Sequence, residues 1–68
     1  MLKIGRVVSF DVEAGLGVVE DPTGEAWQFH CTTIAGGSRH IEPGTAAAFT
    51  VGPGGPGRWE AFEVSAIT

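Results

Sequence analysis

Only one cysteine, Cys31, occurs in the 68 residues. No disulfide framework can therefore hold the chain, and that scarcity points to a reducing, cytoplasmic setting. Positive charge is scarce as well: four Lys and Arg stand against eight Asp and Glu, a formal net charge of −4. This excludes a strongly basic nucleic-acid binder, whose affinity would rest on many phosphate contacts. No apolar run approaches the ~20 residues that span a bilayer, so neither a membrane segment nor an export segment is expected. A hydrophobic content of 43% excludes a disordered acidic tail. At this length one domain over residues 1–68 is expected, and it buries only about 60% of its unfolded surface, so the core must be efficient.

Glycine, by contrast, is abundant. Eleven residues are over twice the usual share of about 7%, which calls for many tight turns between short strands. Five β-like runs follow at residues 4–10, 16–20, 26–30, 45–51 and 59–67. The clearest turn is Asp21-Pro22-Thr23-Gly24, where Pro presets φ early and Gly supplies φ > 0 late. In the third run Trp27 and Phe29 alternate with Gln28 and His30. Residues 45–49 and 60–67 also fit short helices, but helices that short are marginal and their flanking glycines favour strands. Residues 34–43 are polar and Gly-rich and read as a surface loop. Residues 52–57 contain only Gly and Pro, which excludes helix or central strand and predicts a mobile connection. Val7 and Phe10 have opposite parity; if both are core, the first strand must bend or carry a bulge. The expected core is Val7, Phe10, Val19, Trp27, Phe29, Ile34, Phe49, Phe62 and Val64. Five short strands leave costly edges unless the sheet closes. The predicted fold is an all-β, five-stranded antiparallel Greek-key barrel of the OB type.

Several segments, in order and at near-matching spacing, resemble the cold-shock domain family over nearly the whole chain. Gly5-Arg6-Val7-Val8-Ser9-Phe10-Asp11 resembles that family's first strand, and Ala14-Gly15-Leu16-Gly17-Val18-Val19-Glu20 its first RNA-binding signature. Trp27-Gln28-Phe29-His30-Cys31-Thr32-Thr33-Ile34 resembles the second signature, Ile41-Glu42-Pro43-Gly44 with Phe49 the approach to the fourth strand, and residues 61–64 the fifth. The resemblance implies a barrel that holds single-stranded RNA or DNA by stacking bases on exposed aromatic side chains. The stacking surface itself departs from the family pattern. Ser9 stands where the family has Trp; Leu16, Val18, Gln28 and Cys31 stand where it has Phe; and Ala14 replaces its Lys. Only His30 keeps the family's residue type there.

The expected function is therefore weak single-strand binding through the face of the second and third strands. Its candidate residues are Leu16, Val18, Gln28 and His30, with Arg39, Arg58 and Trp59 adding cations and a stacking ring. The alternative is a barrel that has lost nucleic-acid binding and uses Leu16, Val18 and Trp59 to meet a protein or a second copy of itself, as a homodimer. No enzyme is expected. His30, Cys31 and His40 lack the paired ligand spacing of a zinc site. Cys31 has little positive charge nearby in sequence to make it a nucleophile. Gly15-Leu16-Gly17 precedes no helix and so is no phosphate loop. No cofactor and no metal is implied.

Overall fold

The computed structural model describes residues 2–67. Five strands form: β1 (Leu2–Asp11), β2 (Leu16–Glu20), β3 (Ala26–His30), β4 (Ala46–Gly55) and β5 (Arg58–Ala66). Both segments that also fitted short helices are strands. The connection from β3 to β4 carries two short 3-10 turns, Cys31–Thr33 and Ala35–Gly37. Among the described residues no helix is long and apolar enough to cross a membrane.

The strands close into a barrel in the order β1-β2-β3-β5-β4. The all-antiparallel expectation is corrected at one seam, where β3 and β5 run parallel through Gln28 and Glu60. The reason is parity. Strand directions cannot alternate all the way round a ring of five, so one neighbouring pair must run parallel. That seam is also held by a parallel bridge between Ile34 and Val64.

Bulges decide which side chains enter the barrel. In β1, Val7 pairs with Val19 and Ser9 with Val18, leaving Val8 as an extra residue. Val7 and Phe10 consequently both turn inward, as their opposite parity required. A second bulge, at Glu63 with φ of 52°, corrects the expected alternation of β5. Ala61 and Val64 are both buried, while Phe62 sits half-buried on the outer side. The rest of the expected core is buried, namely Val7, Val19, Trp27, Phe29, Ile34, Phe49 and Val64, with Phe10 partly covered at its margin. Ile41, Ala47 and Ala61 are buried in addition.

Two glycines mark close approaches. A Cβ on Gly17 would lie 2.7 Å from Phe29 Cε1 and 2.9 Å from Phe10 Cδ1, and one on Gly5 would overlap the Glu20 carbonyl. Trp27 packs on Phe49 with ring centroids 5.8 Å apart. Lys3 closes this side of the core, its Nζ 5.2 Å from the Trp27 ring and 3.6 Å from Asp21 Oδ2.

The 52–57 segment is corrected as well. β4 continues through Gly55, pairing Gly52 with Glu60, Pro53 with Trp59 and Gly55 with Arg58. Proline is tolerated because the described pairing of β1 with β4 stops at Thr50, so this stretch has β5 as its partner and an open edge. Residues 34–43 are exposed apart from Ile34 and Ile41.

Candidate nucleic-acid interface

The pleat of β2 sends Gly17 and Val19 inward and Leu16 and Val18 outward, and that of β3 sends Trp27 and Phe29 inward and Gln28 and His30 outward. The register sets these outward residues side by side, Leu16 with His30 and Val18 with Gln28. On the other flank, Ser9 pairs with Val18 and Asp11 with Leu16. A shallow groove of about 300 Å³ results, lined by Ser9, Phe10, Asp11, Leu16, Val18 and Gln28. Beneath it Gly17, at an inward position without a side chain, lets the Phe10 and Phe29 rings come up against the β2 backbone.

Gln28, His30 and Asp11 each have a defined contact on this face. Arg58 Nη1 donates to Gln28 Oε1 at 3.3 Å across the β3–β5 seam. Gln28 thereby turns its amide nitrogen, a double donor, away from that contact. His30 Nδ1 accepts from the Thr32 backbone N–H at 3.2 Å and lies 2.9 Å from Thr32 Oγ1, capping the 3-10 turn. The neutral imidazole therefore carries its proton on Nε2, which is a donor with no protein partner among the described residues. Asp11 stands at one end of the groove, and its Oδ1 accepts from the N–H groups of Glu13 and Ala14 at 3.0 and 3.1 Å. The face is thus an apolar floor ringed mainly by donors, with one carboxylate at its end.

Of the sequence-predicted residues, Leu16, Val18, Gln28 and His30 come together, and Arg58 reaches them through Gln28. Arg39 is exposed on the segment whose next residue, His40, packs in a T-shaped arrangement with Phe10, ring centroids 5.4 Å apart. Trp59 is not brought to this face. It is 64% exposed, but it alternates with Arg58 and Glu60 and so lies on the opposite side of β5, beside Pro53. Sequence reasoning missed Asp11 and His40. The pairing of Asp11 with Leu16 was implicit in the hairpin, whereas nothing in the sequence tied His40 to Phe10.

Cys31 leaves the strand alternation at the start of the 3-10 turn, so its Sγ lies 3.9 Å from His30 Nδ1 rather than on the other face. His40 turns instead to Glu42, its Nε2 hydrogen-bonded to the carboxylate. Among the described residues no three His, Cys, Asp or Glu side chains cluster as metal ligands.

Compared with known proteins, the chain matches no family model and no curated protein.

Proposed function

We propose that this protein binds single-stranded RNA or DNA weakly, through the outer face of β2 and β3, as a divergent barrel of the cold-shock type. The observation that carries the reading is the groove over Leu16 and Val18, bordered by the His30 ring and by the Gln28–Arg58 pair. A nucleobase has a flat apolar face and an edge rich in acceptors. Leu16 and Val18 offer area for the first, and His30 offers a ring to stack on. The Gln28 amide, His30 Nε2 and the Arg58 guanidinium offer donors to the second. The reading needs no bond-making chemistry and no cofactor. Weakness follows from the composition of the face: one imidazole in place of several large rings, and cations limited to Arg58 and to Arg39 on the exposed 34–43 segment.

A second reading, protein contact through the same strip, draws on the carboxylate of Asp11 at the groove's end, which repels phosphate. Titration with an unstructured pyrimidine oligonucleotide at low salt separates the two. Saturable binding that weakens in Arg58→Ala supports nucleic acid. No binding, together with an assembly that Leu16→Glu disrupts in light scattering, supports protein contact.

A further inference from the structure

The outer face shared by β1 and β4 has no part in the groove over β2 and β3. Here the register sets Leu2 beside Thr50, Ile4 beside Ala48 and Arg6 beside Ala46. Leu2 and Ile4 are 68% and 60% exposed, so two large aliphatic side chains form a ridge next to a low strip of alanine. On the ridge's other flank β2 ends at Glu20, opposite Arg6. Residues 2–5 of β1 therefore pair with β4 alone. Between that open flank and the β2–β3 turn lies a groove of about 470 Å³, lined by Ile4, Arg6, Glu20, Pro22 and Ala46 among others.

We propose that this face is where two copies of the chain associate about a two-fold axis. Its shape selects a second copy over other partners, because ridge and groove lie side by side on one surface. A two-fold rotation can then seat the Ile4 ridge of each copy in the groove of the other, as an isologous contact requires. Its charge selects the same occupant. Arg6 and Glu20 are register partners on this face, yet they form no ion pair with each other; the Arg6 guanidinium donates to the Gly44 carbonyl instead. The rotation brings each copy's Arg6 toward the other's Glu20, so both charges gain a partner at once. The open flank of β1, with apolar side chains exposed beside it, is also a surface that invites contact with another chain.

The size of the face sets the strength. A standard interface covers about 800 Å² per partner. The patch centres on two strands about 4.8 Å apart and five residues of about 3.3 Å rise, which makes it smaller. The dimer is accordingly weak, assembling at high micromolar concentration. It leaves both β2–β3 faces uncovered, so one strand long enough to reach both would gain from effective concentration. That consequence, unlike the dimer itself, rests on the nucleic-acid reading.

Sedimentation of the intact chain up to about 1 mM tests the proposal without any ligand. The mass should rise toward that of two chains, and Ile4→Glu and Ala48→Glu should each hold it at one, with the near-UV signal of Trp27 reporting that the fold is intact. Arg6→Glu should weaken the dimer at least tenfold, and adding Glu20→Arg to it should restore the dimer; this swap decides the matter if either other variant unfolds. A chain that stays monomeric at about 1 mM overturns the proposal. So does a dimer indifferent to all four substitutions, or one abolished by Leu16→Glu alone.

Discussion

His30 shows how one residue joins the scaffold to the site. Its Nδ1 caps the 3-10 turn that leads out of β3, and this contact fixes Nε2 as the donor that faces outward. A variant that keeps the cap and loses the ring, His30→Asn, therefore separates the two roles, since Asn also accepts from the N–H two residues on. Gly17 serves the inner side of β2, making room for the Phe10 and Phe29 rings beneath the groove. Gly17→Ala forces a methyl group against rings that are packed in the core. It should cost about 1–3 kcal/mol in urea denaturation. Asp21 governs the β2–β3 turn. The Thr23 hydroxyl, first, and then the N–H groups of Glu25 and Thr23 and the Lys3 ammonium hold its carboxyl below the ordinary aspartate value of 3.8, against partial desolvation that works the other way. A carboxyl lowered on folding adds stability above that ordinary value and loses it as pH falls through the lower folded one. The urea midpoints of the wild type and Asp21→Asn should therefore differ near neutrality and converge as pH falls below 3.8.

At the scale of elements, the strands were legible because period-2 alternation and turn chemistry agree along most of the chain. Leu16–Glu20 and Ala26–His30 coincide with their expected limits, and the Asp21–Gly24 turn lies between them. The misreading inside β5 has a plain physical source: alternation cannot reveal where a residue is added. In β1 the parity conflict between Val7 and Phe10 announced the bulge at Val8. In β5 nothing announces the bulge at Glu63, so the expected core includes Phe62, whereas Ala61 is the residue that turns inward with Val64. The glycines and prolines of 52–55 hid a strand because backbone pairing with β5 needs no side chains. That hairpin also decides the placement of Trp59, which neighbours Arg58 in sequence but lies across β5 from it. Trp59→Ala should change oligonucleotide affinity less than twofold. Arg58→Ala, which removes the donor at the Gln28 seam, should weaken binding by at least fivefold. Anisotropy titrations of the two variants side by side check this.

For the whole molecule, the barrel was readable from the edge problem that five short strands pose, and its single parallel seam follows from the odd strand number. The candidate site was only half readable, because alternation marks the outward residues of β2 and β3 but not Asp11 and His40, which strand pairing and a loop contact bring to its border. Charge is the dominant feature at this scale. The net charge of −4 opposes long-range attraction of a nucleic acid. Lys3 is engaged with Asp21 and Trp27, and Arg6 with Gly44. Arg58 is left beside the face, and Arg39 is exposed on the 34–43 segment. Two cations at about 0.7 each predict a log–log salt slope of about −1.4 for a single strand.

The most direct test of the β2–β3 face is an anisotropy titration of a labelled, unstructured pyrimidine oligonucleotide with the wild type and with His30→Asn. Each is titrated at several low salt concentrations. Wild type should saturate at high micromolar concentration with the shallow slope above. His30→Asn should lose about 1–3 kcal/mol of binding, the contribution of one stacked base, while unfolding at the wild-type urea midpoint. No saturable binding at the lowest salt, or equal affinity in His30→Asn, would contradict the account.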